Sequence, residues 1–312
     1  RDHVAFRRLG AAPFADLLFD SATSPTMLLY LDQQYSFAHN LNENYAREIM
    51  ELHTLGVHGG YTQKDVTTLA RLLTGWTFSD EGDGYSGGPD TGHTFRFDPA
   101  LHENGEERFL GMAFAKERPG RRWERPTLAV EQLAAHPSTA RFVCRKLAEH
   151  YVALPAPDGL VDDLVRVFEE TGGDLGAVLQ AIARHPVFWE EGRKEKVATP
   201  FDLAVRVARV AETPLTGQAL EFLSRCAHQI WDRATPDGYP EEDRAYTDTN
   251  TLIQRWRYVR TNAGAIAAVV PASLRNPEEP PTAPWRQVLV DLLAFRLTGR
   301  LLGGESNRAA LA

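Results

Sequence analysis

The chain has 312 residues, 43% hydrophobic and 24% charged, a balance that supports a sizeable buried core and excludes wholesale disorder. It holds no run of about 18 apolar residues, so no membrane-spanning helix is expected. Its 34 basic and 42 acidic residues give a net charge of −8 with no basic face of the kind phosphate neutralisation needs, so nucleic acid is not an expected partner.

The chain starts Arg1-Asp2-His3-Val4 with neither an initiator methionine nor an apolar leader, and so reads as an excerpt from something longer. Phe14, Leu17 and Leu18 open an amphipathic segment, and Met27–Leu31 follows after Pro25. Asn42–Leu55 has Tyr45, Ile49 and Leu52 at i, i+4 and i+7, the helical period, with Gly56 as its stop. Thr62-Gln63-Lys64-Asp65 resembles a capping box with a shorter acid, starting a second helix with Val66, Leu69, Ala70 and Leu73 inward. Together they predict an αα-hairpin. Ser79–Gly92 is a Gly- and Asp-rich loop, and Thr94–Phe97 and Arg108–Met112 read as two short strands around Asp98–Glu107. Helices resume near Thr127 and run to about Phe188. Thr199-Pro200 starts another, Arg233–Thr249 is a loop, and Asn250–Thr261 and Trp285–Leu301 are the last helices. The fold class expected is mainly α, a multi-helix globular domain with a small β-rich insert. Its parts are residues 1–76 with the hairpin, 77–125 as loop and β-hairpin insert, and 126–312 as the helical remainder of the same domain.

Candidate chemistry concentrates on Asn42–His53. Asn44, Glu48 and Glu51 fall at i, i+4 and i+7 and share one stripe of a regular helix, and Arg47 can pair with Glu43 or Glu51. His53 would lie roughly 200° round the helix from Glu51, too far to share an ion with it. A di-iron bundle would want Glu-x-x-His where this helix has Glu48-x-x-Glu51. On the residues alone a solvated face laced with Glu–Arg pairs explains the stripe as simply as half of a carboxylate metal site does. His102, in the turn Phe97–Glu103, is placed to ligate a cation or act as acid or base, although loop histidines are commonly plain surface. His136 and His185 each precede proline at a helix boundary, where hydrogen bonding of the helix end is the expected role. Asp80–Gly84 lacks the ordered ligands of a calcium loop, and Asp162-Asp163 with Glu169-Glu170 reads as solvated surface. Cys144 and Cys226 are expected as buried small hydrophobes, although one disulfide between them is not excluded by sequence. No G-x-S-x-G, P-loop, G-x-G-x-x-G or H-E-x-x-H motif is present, which removes the usual sequence support for serine hydrolases, P-loop nucleotide hydrolysis and zincin proteolysis.

Several segments together carry a family resemblance. They are Met27–Asp32, Asn42–Val57, Gly60–Val66, Leu73–Trp76, Phe97–His102 with Gly105 and Leu110-Gly111, His136–Phe142, Pro200–Leu203, Thr235–Pro240, Asn250–Leu252 and Arg255-Trp256. In these the chain strongly resembles the bacterial "domain of unknown function 1800" family. Members typically carry a W-x-N-H-F segment upstream of where this chain begins, so the chain resembles the C-terminal two thirds of a member. The resemblance implies an exported protein, periplasmic or extracellular, often encoded beside a sulfatase-like partner, with no established reaction. It also implies that Asn44, Arg47, Glu48 and Glu51 face inward in a hydrogen-bonded network.

The functional expectation is a polar pocket between the Asn42–Leu55 helix and the His102 loop, acting on an extracellular substrate. Glu48, Glu51 and His102 are the expected ligands of a divalent metal or the acid/base groups. Arg47 is expected to orient an anionic group and Asn44 to contact a bound cofactor. The rival expectation is a non-catalytic helical scaffold for secretion or surface assembly.

Overall fold

The computed structural model describes residues 7–8, 10–80, 93–116, 123–190, 197–230, 232–233 and 235–268. The helix expected at Trp285–Leu301, the loop residues 81–92 and the side chain of His93 lie outside them. Contacts divide the chain into two units, Arg1–Phe188 and Trp189–Ala312.

The first unit opens with α1 (Phe14–Ala22) and α2 (Pro25–Tyr30), then α3 (Asn44–Glu48), which runs into a π turn at Ile49–His53, and α4 (Gln63–Leu73). Four strands follow: β1 (Trp76–Asp80), β2 (His93–Phe97), β3 (Glu107–Phe109) and β4 (Met112–Phe114). The unit continues through α5 (Glu124–Ala134), α6 (Pro137–Tyr151), α7 (Asp158–Glu170) and α8 (Leu175–Arg184), and the chain leaves it within the short α9 (Pro186–Glu190). The expected mainly α class with a small β insert is the class observed.

The hairpin forms where the sequence predicts it, because its second helix has a complete start. The Thr62 hydroxyl accepts from the Asp65 amide at 3.3 Å, and the Asp65 carboxylate accepts from the Thr62 amide at 2.8 Å. Two orphan donors of the first turn are thereby satisfied. Val66, Leu69, Ala70 and Leu73 are fully buried, alongside Tyr45, Ile49 and Met50 from the preceding segment.

The insert differs from expectation. Thr94–Phe97 belongs to a strand paired antiparallel with Trp76–Asp80, Trp76 facing Phe97 across the ladder. Trp76 anchors this pair in the core, its ring edge-on to Phe95 at 5.4 Å and to Phe19 at 6.2 Å. Arg108–Met112 is not one strand but the bend of a second hairpin, in which Phe109 faces Met112. Leu110 and Gly111 take φ of 45° and 83°, the double left-handed turn that matches strand twist.

His136 and His185 behave as their position before proline suggests. Each turns its Nδ1 onto an amide two residues on, Ser138 at 3.1 Å and Val187 at 3.3 Å. Both cysteines are free thiols, Cys144 buried and Cys226 half-buried. Among the described residues no helix is long and apolar enough to cross a membrane.

The second unit contains α10 (Pro200–Val210), α11 (Gly217–Arg225), α12 (Thr249–Thr261) and α13 (Ala263–Ala268). Its own core holds Ala204, Val207, Leu223 and the stacked pair Phe222 and Tyr258, centroids 4.5 Å apart. Thr199 and Asp202 close a second capping box at the start of α10.

Candidate functional site

The polar stripe predicted on Asn42–His53 is built on a helix that changes type midway. After Glu48 the backbone opens into the π turn, which accommodates one residue more than an α turn. The Thr54 hydroxyl donates to the Ile49 carbonyl at 2.7 Å, and the Gly56 amide to the Met50 carbonyl at 3.1 Å, so carbonyls at the segment's end stay satisfied. Gly56 is required here twice over. Its φ is +78°, and a Cβ would stand 2.7 Å from the Phe142 ring.

This change of pitch separates the stripe. Asn44 is exposed, and its amide donates to the Leu31 carbonyl at 3.3 Å. Arg47 donates to Glu43 at 3.3 Å and to Gln63 at 2.9 Å and lies 3.7 Å from Glu51. Glu43 in turn accepts from the Thr67 hydroxyl at 2.6 Å and from Gln63 at 2.7 Å. The Thr67 hydroxyl holds the Glu43 carboxyl below its ordinary range, outweighing burial, with Gln63 and Arg47 adding to it. Arg47 is therefore engaged within the protein and ties the two helices of the hairpin together.

Glu51 faces Tyr61. Burial, then a hydrogen bond to Glu51 and the charges of Glu51 and Glu48, push the Tyr61 phenol up to about 12 against the opposing Arg47. The phenol is thus a donor at any physiological pH. His53 is pushed below its ordinary value by burial, so it too stays uncharged near neutrality.

His102 lies elsewhere. It is 5% exposed, with Nδ1 donating to the Thr74 carbonyl at 2.7 Å and the ring packed edge-on against Phe97 at 5.3 Å. Gly75 allows this approach, since a Cβ there would meet the Asp98 carbonyl at 2.6 Å and His102 Cβ at 3.1 Å. Beside it Arg71 pairs with Glu107 at 3.1 Å and Glu103 at 3.8 Å. Helix α4 thus lies between the two candidate halves. Gln63 and Thr67 serve the signature segment at its start, and Arg71 and Thr74 serve the insert at its end. Seven residues from Thr67 to Thr74 correspond to about 10 Å of axial rise. Among the described residues no group of three or more His, Cys, Asp and Glu is placed to hold a metal ion. Glu48, Glu51 and His102 therefore do not converge as a three-ligand set.

The residues not singled out from sequence as site members are Tyr61, Gln63 and Thr67. Gln63 and Thr67 lie on the helix predicted to pack against Asn42–Leu55, and Tyr61 stands just before its cap, within the resembling segment Gly60–Val66.

Neither a curated protein nor a solved structure is matched by the chain. The family model described as "Protein of unknown function (DUF1800)" matches residues 1–312. With that match over its whole length and the signature hairpin in place, the chain belongs to this bacterial family of unknown function.

Proposed function

We propose that this is an exported bacterial protein that holds a polar ligand at the π turn, through the Glu51 carboxylate and the Tyr61 hydroxyl with Glu48 alongside. The observation that carries this reading is the electrostatic coupling of the Glu51 carboxylate to the Tyr61 phenol at the rim of a network whose inner members are committed. Glu51 keeps 24% of its side chain exposed beside Arg47 and Tyr61, and a carboxylate offers about four acceptor positions. The carboxylates of Glu43, Glu48 and Glu51 favour hydroxyl- or amine-bearing ligands over anions. His102 acts in this reading as a buried anchor for the insert. In a metal-assisted version Glu48 and Glu51 supply two carboxylates and the ligand or water supplies the rest. An extracellular polymer rich in hydroxyl groups has the matching chemistry.

Binding of a panel of soluble oligosaccharides, read by calorimetry, tests the proposal. Glu51→Gln and Tyr61→Phe are expected to keep the thermal midpoint and lower affinity at least about tenfold, the loss of one good charged hydrogen bond. Unchanged affinity in both variants would overturn it. Elemental analysis tests the metal-assisted version, which requires stoichiometric divalent metal in the wild type and its loss in Glu48→Gln. The second reading is a non-catalytic scaffold, favoured by how fully Asn44, Arg47 and Glu43 are engaged internally. It predicts a metal-free protein, no saccharide binding, and a stable complex with a sulfatase-like neighbour-encoded protein.

A further inference from the structure

The unit Trp189–Ala312 carries an open groove of about 240 Å³ between α11 and α12. Its floor is the stacked pair Phe222 and Tyr258, ring planes 9° apart, both packed into the core of the unit. Gln218, Glu221 and Arg225 stand at i, i+3 and i+7 along α11 and form one wall. Arg257 and Thr261, one turn apart on α12, form the other.

Two donors of this groove have no acceptor among the described residues. Tyr258 is 7% exposed, yet its hydroxyl makes no hydrogen bond there. A phenol withdrawn to this depth ordinarily has a partner. Burial pushes it above its ordinary value, so it remains a donor at neutral pH. The second donor is the guanidinium of Arg257, exposed at the groove and without an ion pair or hydrogen bond among the described residues. Across the groove Glu221 takes the Arg225 guanidinium at 2.6 Å, so those two charges offset one another. The lining is therefore singly positive, and its charge stands next in sequence to the phenol.

We propose that the groove binds a small hydroxylated carboxylate, a sugar acid, whose carboxylate accepts from Arg257 and from the Tyr258 hydroxyl. One guanidinium beside one neutral donor matches a monoanion. The ligand's hydroxyls meet Gln218 and Thr261, whose side chains both donate and accept and make no hydrogen bond among the described residues. The aromatic floor takes its C–H face. The volume of about 240 Å³ falls below the range of about 300–1,000 Å³ that encloses drug-sized ligands, which fits a single sugar unit. This site is independent of the π turn, where carboxylates disfavour anions.

The test titrates the full chain with glucuronate, glucose and acetate in separate series at constant ionic strength, read by calorimetry. Glucuronate is expected to saturate and to bind at least about tenfold tighter than glucose or acetate, because it alone carries both the charge and the hydroxyls. Arg257→Gln is expected to weaken glucuronate at least about tenfold and Tyr258→Phe about threefold or more, the losses of a charged and a neutral hydrogen bond. Arg257 is exposed and Tyr258→Phe keeps the stacked ring, so both variants are expected to retain the wild-type thermal midpoint. No saturation by glucuronate, equal binding of glucose or acetate, or an unchanged affinity in Arg257→Gln and Tyr258→Phe would overturn the proposal.

Discussion

Arg125, in the unit Arg1–Phe188, and Arg255, in the unit Trp189–Ala312, are both withdrawn from solvent, but their donors meet different surroundings. Arg125 is 2% exposed and fastens a loop, donating to the Glu103 carbonyl at 3.3 Å, the Asn104 side chain at 3.2 Å and the Gly105 carbonyl at 2.6 Å. Arg255, half-buried, has one backbone acceptor, the Ala198 carbonyl, and an Nε–H with none among the described residues, a condition it shares with the Nε–H of Arg125. The first is a structural rivet whose donors organise backbone that has no ladder of its own. The second is half-buried and fastens one carbonyl, with the charge of Asp202 acting on it. The two guanidiniums thus differ in depth of burial and in how many acceptors they fasten.

That contrast can be broken by substitution. Arg125→Met is expected to have the largest effect, a loss of about 3 kcal/mol or more in chemical unfolding, because three acceptors lose a charged donor at once. Thr54→Val removes the hydroxyl that satisfies Ile49 in the π turn and is expected to cost about 2 kcal/mol, with hydrogen exchange accelerated at Ile49–His53. A pH series sharpens the comparison further. Burial holds His53, His136 and His228 below their ordinary 6.5 in the folded chain. Their contribution is therefore complete above pH 6.5 and is lost as pH falls below it, so the urea midpoint at pH 5.5 is expected below that at pH 7.5. Glu43 and Asp65, held below their ordinary values, lose their contributions only at still lower pH. The smallest effect is expected from Arg255→Met, within about 1 kcal/mol of wild type, since it removes a half-buried charge along with one hydrogen bond. A loss there as large as that of Arg125→Met would erase the distinction between the two arginines.

What the sequence reveals is what is decided locally. Thr62 and Asp65 are three residues apart, and His136 needs only Pro137 and the Ser138 amide, so capping and helix ends follow from short stretches of chain. The π turn does not follow from a short motif, and the Gly56 that comes after it is set against Phe142, far along the chain. Helical spacing applied through residue 53 therefore put Asn44 and Glu51 on one stripe, while the wider turn gives them separate partners. The same limit governs the network. Glu43 is fixed by Thr67 and Arg71 by Glu107, pairings that exist only once α4 packs. His102 was legible as a special residue but not as a buried one, since its anchor is a backbone carbonyl that no motif advertises.

The Asp65 carboxylate has a second task besides capping α4. One oxygen holds the Thr62 amide, and the other accepts from the Leu110 amide, at 3.2 Å, in the bend between β3 and β4. A single side chain thereby clasps the first turn of a helix to a hairpin 45 residues further on. The two elements are fastened by one buckle, so whatever loosens the hairpin also frays the helix start, and the insert is joined to the signature region as one mechanical piece.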